Sequence, residues 1–277
     1  MSFSVNTNVG AMVALQNLSS TQSQLMETQN EINTGLKVSS AKDNAAIWAI
    51  AQNQRATSSS LNSVVSSLQR GQSTIDVALS AGSSISDLLL QMKDKALAAS
   101  DTTLDANSRS ALNDEFKSLR DQITTTITNA VFNGANMIKS GGTTIQALAN
   151  DTGSSVITVQ AQDLSLGGVN MGSALNATAS IGTVTTASAM IASVGAAIAN
   201  VSSAMGHLGT GSKALSSHQT FITDLQNTVD AGVGNLVDAN LAQESAKLQA
   251  LQTKQQLGIQ ALSIANQSSS ILLGLFR

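Results

Sequence analysis

The 277-residue sequence contains no cysteine, no proline and no tyrosine, and it has one tryptophan and five phenylalanines. Without cysteine the chain can form neither a disulfide bond nor a thiolate metal site. Because proline is the residue that most disrupts a helix, its absence is compatible with very long uninterrupted helices. With aromatic residues at only 2%, the interior has to be built from alanine, leucine, isoleucine and valine, which suits closely packed helices.

Charged residues are also scarce: they make up 11% of the chain, and the formal net charge at pH 7 is −3. This balance provides no basic surface for nucleic acid and no polybasic anchor for anionic lipid, so we expect neither nucleic acid nor a membrane as a partner. No apolar run approaches the roughly 18 residues of a membrane span. The N-terminal segment lacks the features of a cleaved secretory signal, so secretion would use another route.

What the sequence does contain is helical periodicity, most clearly at its two ends. The predicted core positions are Leu15, Leu18, Gln22, Leu25, Gln29, Ile32 and Leu36 at the N-terminal end, and Leu241, Glu244, Leu248, Leu251, Gln255, Gly258, Leu262, Ala265, Ser269 and Leu272 at the C-terminal end. Their spacing of three and four residues predicts that the ends pair as a coiled coil weakened by polar positions. Periodicity alone leaves open whether this pair is an intramolecular hairpin or part of a polymer.

Between the ends, the spacing of apolar residues predicts three more helical regions. The first begins after a cap at Ser39 or Ser40, reaches about residue 100 and has a possible break at residues 81–82. The second spans about 111–127, and the third begins at 187 and carries a glycine-rich interruption at 206–211. From about 132 to 186 the chain is rich in Gly, Thr, Ser and Val, and alternation at 156–159 predicts a small β region. The expected fold is mainly α, with a long helical bundle or coiled coil formed by the terminal segments and a β-hairpin region in the middle.

No constellation of residues points to catalysis or to a bound group. The two histidines, His207 and His218, lie too far apart for the His-Glu-x-x-His pattern of a zinc protease helix. The Gly167-Gly168 pair has neither the lysine nor the following helix of a phosphate-binding loop. We therefore expect no catalytic residues, no cofactor and no metal.

Three stretches resemble bacterial flagellins. Residues 32–46 (INTGLKVSSAKDNAA) resemble the N-terminal flagellin signature, and Phe132-Asn133-Gly134 closes the matching N-terminal block. Near the other end, residues 260–267 (QALSIANQ) and the terminal ILLGLFR at 271–277 are similar to the C-terminal signature. Only about 138–186 lies outside this resemblance. The sequence is therefore similar to a short flagellin of the alphaproteobacterial type.

The resemblance implies a structural subunit that polymerises into the helical flagellar filament used for motility. In such a subunit, residues 1–38 and 235–277 form an inner coiled coil, residues 39–135 and 187–234 form an outer helical domain, and residues 136–186 form a small outermost β-rich region. The residues expected at the polymerisation contacts are Leu15, Leu18, Leu25, Ile32, Leu36, Leu241, Leu248, Leu251, Leu262, Leu272, Leu275 and Phe276.

The same resemblance implies secretion by the flagellar type III export apparatus, escorted by a chaperone, to an extracellular filament. Other copies of the chain, other flagellins, the filament cap and the hook-filament junction proteins would be its partners there. A hook-filament junction protein with flagellin-like ends is the alternative. An enzyme built on a flagellin-like scaffold is a third class, and the absence of His and Cys from residues 138–186 argues against it.

One segment departs from the pattern of many flagellins. The resemblance places residues 91–95 in the part of the protein that Toll-like receptors recognise, and Gln91 and Lys95 stand where many flagellins carry Arg and Leu. The glutamate of that region is retained as Glu115. We therefore expect a weak receptor response.

Overall fold

The computed structural model describes residues 7–274, with side chains described as far as Gln267. In this part the chain forms five helices and two strands, as the sequence predicted for a mainly α protein. The elements are α1 (Val9–Thr34), α2 (Ala45–Ala99), α3 (Ala106–Asn129), β1 (Ile145–Leu148), β2 (Val156–Val159), α4 (Val184–Val237) and α5 (Leu241–Gly274).

The chain divides into two compact units. Unit one consists of Met1–Ala56 and Thr228–Arg277, and unit two consists of Thr57–Asn227. The unit boundaries fall inside α2 and α4, so each of these long helices contributes to both units.

Unit one is built on an antiparallel pair, α1 and α5. The Asn8 side-chain amide donates to the Ala265 carbonyl at 2.8 Å, and the Gln255 amide donates to the Gln22 side-chain oxygen at 2.9 Å. Helix α1 begins at Asn8, whose side chain caps it by accepting a hydrogen bond from the Ala11 N–H. It ends at Gly35, whose φ of 71° lies in the left-handed region.

The heptad prediction matches the structure in α5 from Glu244 onward, whereas the predicted Leu241 is exposed, and it is partly wrong in α1. Within the described side chains of α5, the buried and half-buried residues are Glu244, Leu248, Leu251, Gln255, Gly258, Leu262 and Ala265, all of them predicted core positions. In α1 the predicted Leu18, Leu25 and Ile32 are buried or half-buried. The other predicted column is displaced by one residue: Ala14, Thr21 and Thr28 are buried or half-buried, whereas Leu15, Gln22 and Gln29 are exposed. Smaller residues at one column of the contact let the two helices approach closely, and the larger neighbours are displaced outward.

Two short backbone links join the ends of the helical pair. The Lys37 N–H donates to the Val237 carbonyl at 2.7 Å, and the Ala239 N–H donates to the Gly35 carbonyl at 2.9 Å. A small apolar cluster lies beside them. Its buried members are Val38, Ala51, Val233 and Val237, and the half-buried Leu36, Ile47 and Trp48 pack against them.

The predicted cap of α2 was wrong. The side chain of Asn44, and not that of Ser39 or Ser40, accepts a hydrogen bond from the Ile47 N–H at 3.1 Å and caps the helix. The Asp43 carboxylate instead accepts the backbone N–H and hydroxyl groups of both serines. These bonds, led by the Ser39 hydroxyl, lower the pKa of Asp43.

The core of unit two is formed by α2, α3, α4 and the segment between α3 and α4. Its largest fully buried side chains are those of Phe116, Leu61, Leu68, Ile75, Ile85, Leu89, Met92, Ile123, Met137, Ile138, Leu164 and Met171. One aromatic ring among these twelve residues agrees with the expectation of an aliphatic interior. The antiparallel hairpin of β1 and β2 pairs Ile145 with Val159 and contributes the buried side chains of Ala147 and Val159.

The glycines that were expected to interrupt α2 and α4 lie inside continuous helices. A β-carbon on Gly82 would approach the Met205 side chain to 3.1 Å, and one on Gly211 would meet Val159 at 2.5 Å. These two glycines therefore permit a neighbouring element to pack closely on the helix. The prediction that glycine interrupts the helices at these places is wrong.

Helix α4 also contradicts the expectation that no apolar segment has the length of a membrane span. One 18-residue window in it has a mean hydropathy of 1.5, and 28% of that window is buried. Length and composition alone would allow this helix to cross a membrane. The part of α4 that belongs to unit two packs in the core, and its buried residues there include Ala187, Val194, Ala197, Val201, Ala204, Leu208 and Leu215.

Candidate functional site

Large apolar side chains are exposed along both α1 and α5. We call this set the terminal apolar surface: Val9 (65% exposed), Met12 (63%), Val13 (51%), Leu15 (57%), Met26 (57%), Leu241 (49%), Leu257 (59%), Ile259 (54%) and Ile264 (67%). Helices that carry apolar residues on faces other than their contact stripe are normally buried in a larger assembly.

The contact between α1 and α5 itself contains few buried apolar side chains. Of the large apolar side chains described in these two helices, Leu25 and Leu251 are the ones less than one tenth exposed. Complete burial of such a side chain contributes about 1.5–3 kcal/mol. The pair therefore has a small apolar core for its length, and further burial has to come from outside the pair.

Gaps remain between the two helices. One groove, of about 380 Å³, is lined by residues that include Ala14, Leu18, Leu257 and Ala261. Gly258 contributes no side chain to fill it, and a β-carbon there would meet Leu18 Cδ1 at 3.3 Å. The paired helices thus present an apolar, incompletely packed surface.

The sequence-predicted polymerisation residues are distributed over three levels of burial. Leu15 and Leu241 are exposed, Leu18, Ile32, Leu36, Leu248 and Leu262 are half-buried, and Leu25 and Leu251 are buried. Leu275 and Phe276 lie outside the described residues, as does the side chain of Leu272. Heptad counting missed Val9, Met12 and Ile264, because they fall outside the core positions. In the sequence they could have been recognised as large apolar residues at positions outside the heptad core.

Comparison with known protein families identifies the kind of protein that carries this surface. Residues 5–143 match the family model described as the bacterial flagellin N-terminal helical region, and residues 191–276 match the bacterial flagellin C-terminal helical region. The chain belongs to the bacterial flagellin family. The resemblance found in the sequence is thereby confirmed.

Individual relatives agree with the family match over the full length. Flagellin FljM of Caulobacter vibrioides is 57% identical over 274 residues, which cover 99% of this chain and 98% of the relative. A flagellin of Brucella melitensis is 38% identical over 291 aligned positions, covering 99% of each chain. These relatives place this flagellin in the short alphaproteobacterial type.

A solved structure shares the fold. The putative flagellar hook-associated protein from Vibrio parahaemolyticus superposes with a TM-score of 0.59 at 18% sequence identity, and the match covers 71% of this chain and 100% of the other. At that identity the likeness concerns the fold alone. Because flagellins are structural proteins, family membership assigns this flagellin a structural role.

The receptor-segment positions of this flagellin lie in unit two. Gln91 is exposed on α2. One turn later, the Lys95 ammonium forms an ion pair with the Glu115 carboxylate of α3 at 2.5 Å, and the two side chains are 36% and 56% exposed. Glu115, the glutamate that the resemblance placed in the receptor region, is therefore already paired with Lys95.

The two histidines take separate places. A ring nitrogen of His218 lies 2.8 Å from the Ala149 carbonyl oxygen, beyond the end of β1. His207 lines a groove beside Thr158, Gln160 and Gly211. Among the residues that the structure describes, no three His, Cys, Asp or Glu side chains are grouped as metal ligands.

Proposed function

We propose that this flagellin is a structural subunit that polymerises into the helical flagellar filament, with the terminal apolar surface as a main contact between subunits. The observation that carries this proposal is the set of large apolar side chains, about half or more exposed, on α1 and α5. Family membership supports the function, and the exposed residues support the choice of this surface.

The energetics favour assembly over an isolated chain. Complete burial of a fully exposed leucine, isoleucine or methionine contributes about 1.5–3 kcal/mol. The residues of the terminal apolar surface are already partly buried, so each contributes less, and several of them have to act together to offset the cost of ordering a subunit in the assembly. A contact between two different patches of the same chain generates a ring if its rotation closes and an open helical polymer if it does not, and the proposed filament requires the second case.

We also propose that the five-segment organisation expected from the resemblance applies in the filament. Residues 1–38 and 235–277 would form the inner coiled coil, 39–135 and 187–234 the outer helices, and 136–186 the outermost region. The antiparallel pairing of α1 with α5 supports the inner pair. The position of the β1–β2 hairpin within residues 136–186 supports a distinct middle segment.

The proposed route to the filament is type III export of the unfolded chain, escorted by a chaperone, to the outside of the cell. There the subunit would meet the filament cap and the hook-filament junction proteins. The composition supports this route, because a chain without cysteine cannot be locked by a disulfide before export. A chain without proline also avoids slow isomerisation when it refolds. The fold likeness to a hook-associated protein does not favour the junction role, since it concerns the fold alone.

Seeded polymerisation tests the proposal. Purified protein is mixed with sheared filament fragments and followed by electron microscopy and sedimentation. We expect long regular filaments from the wild-type chain. Monomers or short stubs under every condition would contradict the filament role and favour the junction protein.

A double variant tests the surface. In Met12→Ser combined with Ile264→Ser, the critical concentration for polymerisation should rise at least about tenfold, since a tenfold change corresponds to only about 1.4 kcal/mol. Circular dichroism of the monomer should be unchanged. Gln249→Ser, an exposed polar position of α5, is the matched control and should polymerise normally. Normal assembly of the double variant would show that these two residues do not belong to the contact surface.

We further propose that this flagellin is a weak agonist of the Toll-like receptor that recognises flagellin monomers. Gln91 lacks the positive charge found there in many flagellins, and Lys95 replaces an apolar contact and pairs with Glu115. In a reporter-cell assay, Gln91→Arg with Lys95→Leu should increase the response, whereas Lys93→Leu, an exposed lysine of the same turn, should not. A strong response to the wild-type monomer would contradict the proposal.

A further inference from the structure

Methionine provides all the sulfur in this chain, which has eight methionines and no cysteine. Apart from Met1, which lies outside the described residues, the methionines fall into two groups. Met12 and Met26 of α1 are 63% and 57% exposed, and both belong to the terminal apolar surface. The others lie in unit two, where Met92, Met137, Met171 and Met190 are buried and Met205 is half-buried.

The two exposed methionines share one face of α1. They are 14 residues apart, which at 3.6 residues per turn is close to four whole turns, or about 21 Å along the helix axis. The apolar residues one turn from Met12 are Val9 and Leu15, and these are themselves more than half exposed. Both methionines are exposed with α5 alongside α1, so separation of the two helices can only add to their exposure.

We propose that Met12 and Met26 are oxidation sites through which hydrogen peroxide controls the polymerisation of this flagellin. The proposal rests on the proposed function, because it takes the terminal apolar surface as a contact between subunits. In the free subunit each of the two sulfurs takes up one oxygen atom, and the oxidised subunit no longer adds to the filament. In the filament the same surface is buried, and both sulfurs are protected.

The chemistry needs only the thioether and the peroxide. A lone pair of the sulfur attacks one oxygen of hydrogen peroxide, so that an S–O bond forms and the O–O bond breaks. The second oxygen leaves as water with both hydrogens. The sulfur is thereby oxidised by two electrons to the sulfoxide, and the peroxide is reduced. The chain has no cysteine thiol that would compete for the oxidant.

Oxidation changes the contact because a sulfoxide is polar, whereas the thioether is apolar. The sulfoxide oxygen accepts hydrogen bonds from water in the free subunit. The terminal apolar surface consists of valine, leucine, isoleucine and methionine side chains, none of which donates a hydrogen bond. Burial of the oxidised side chain against such a surface therefore removes its bonds to water without replacing them, which is unfavourable.

Peptide mass spectrometry of the full-length protein tests the assignment of the two sites. Monomers and filaments are treated with hydrogen peroxide for increasing times, and the gain of one oxygen atom is followed at each methionine. In the monomer, Met12 and Met26 should oxidise at least about tenfold faster than Met92, because susceptibility follows exposure. In filaments both rates should fall several-fold. Equal rates at the three methionines of the monomer, or unchanged rates in filaments, would overturn the proposal.

Seeded sedimentation of the oxidised monomer tests the consequence for assembly. Oxidation should raise the critical concentration for polymerisation at least about tenfold, which corresponds to about 1.4 kcal/mol. Treatment with the two methionine sulfoxide reductases, one for each epimer of the sulfoxide, should restore the original value. An unchanged critical concentration after complete oxidation of Met12 and Met26, or no recovery after complete repair, would count against the proposal.

Met12→Leu combined with Met26→Leu removes both sulfurs and keeps apolar side chains of similar volume. This variant should polymerise like the unoxidised wild type and keep its critical concentration after peroxide treatment. Met205→Leu is the matched control, because it removes the least buried methionine of unit two, and it should stay as sensitive as the wild type. An equal loss of assembly in the double variant would reject the two sites.

Failure of the unoxidised wild type to polymerise would contradict the filament role. The selectivity of oxidation is measured on the monomer, so it is decided separately from that outcome.

Discussion

At the scale of single residues, Asn136 shows how one buried side chain holds an irregular segment in place. It is 2% exposed. Its amide nitrogen donates to the Ile127 carbonyl at 2.7 Å, and its side-chain oxygen accepts the backbone N–H groups of Ile138 and Lys139 at 2.9 and 3.0 Å. This one side chain therefore provides hydrogen-bond partners for backbone groups at the end of α3 and at the start of the segment that follows it.

Substitution of Asn136 by alanine leaves the N–H groups of Ile138 and Lys139 without this acceptor, and it leaves the Ile127 carbonyl with only the Ala130 N–H at 3.3 Å. We expect the free energy of unfolding to fall by about 2–3 kcal/mol, the cost of buried unsatisfied polar groups. Urea denaturation followed by circular dichroism measures it. Asn107→Ala, at an exposed position of α3, is the control and should change stability by less than about 0.5 kcal/mol. Equal effects of the two variants would contradict this role.

At the scale of secondary-structure elements, the β1–β2 hairpin packs against helices where side chains are missing or small. Val159 of β2 lies over Gly211 of α4, and Gly71 of α2 faces Ile145 and Leu215. The Leu148 N–H donates to the Ser67 hydroxyl at 3.1 Å, which ties β1 to α2. The position of the hairpin thus depends on residues that belong to two helices far apart in the sequence.

A methyl group at Gly211 should disturb this packing. In Gly211→Ala the new β-carbon would meet Val159 at 2.5 Å, and we expect a loss of about 1–3 kcal/mol from overpacking. Gly209→Ala is the matched control, since a β-carbon there meets nothing within 4 Å. Because alanine is the better helix former, the control should gain about 0.5–1 kcal/mol. Thermal unfolding of both variants measures the difference, and a stabilised Gly211→Ala would refute the packing argument.

The start of α3 has a pH-dependent cap. Asp105 accepts hydrogen bonds from the Asn107 N–H, the Ser108 N–H and the Ser108 hydroxyl at 2.9, 3.0 and 2.6 Å. The hydroxyl bond first, and then the backbone bonds, lower the pKa of Asp105 below 3.8. Its contribution to stability is therefore complete above pH 3.8 and is lost as the pH falls through the lowered value.

Asp105→Asn should keep the cap and lose this acid dependence. We expect the melting temperatures of the wild type and the variant to differ by a constant amount near neutral pH. The wild type should then lose stability relative to the variant as the pH falls below 3.8. Parallel thermal unfolding in a series of acidic buffers measures the difference. A difference that stays constant throughout the acidic range would contradict the sign of the shift.

At the scale of the whole molecule, folding of the core and assembly should be separable. The core of unit two is formed by residues between Leu61 and Ile222, whereas the terminal apolar surface belongs to α1 and α5 of unit one. Changes at the C-terminal end of the chain should therefore act on polymerisation and leave the main unfolding transition unchanged.

Deletion of residues 270–277 tests this separation. We expect a helical monomer whose main melting transition matches that of the wild type but which does not extend filament seeds, because the deletion removes the apolar residues at positions 271–273, 275 and 276. Circular dichroism and seeded sedimentation measure the two properties. Normal filaments from the truncated chain would refute the prediction.

Much of this organisation could be predicted because it is local or periodic. The core positions of α5 follow from heptad spacing, because a helix repeats its contact face about every seven residues. The stretch Phe132-Asn133-Gly134 specifies a tight turn, because Asn133 at a φ of 47° and Gly134 at 81° both adopt the left-handed region. It indicates the family only together with the signatures near the two ends of the chain.

The sequence by itself therefore determined the helical class, the pairing of the ends and the flagellin family. Only the tertiary structure decided which face of α1 meets α5, because Ala14 and Leu15 are both apolar and the close approach of the partner favours the smaller one. The proximity of Glu31 to Lys247, at 3.8 Å, was likewise decided by tertiary structure, since more than two hundred positions separate them in the chain. Local periodicity describes each helix alone, and the register between two helices follows from how their side chains pack together.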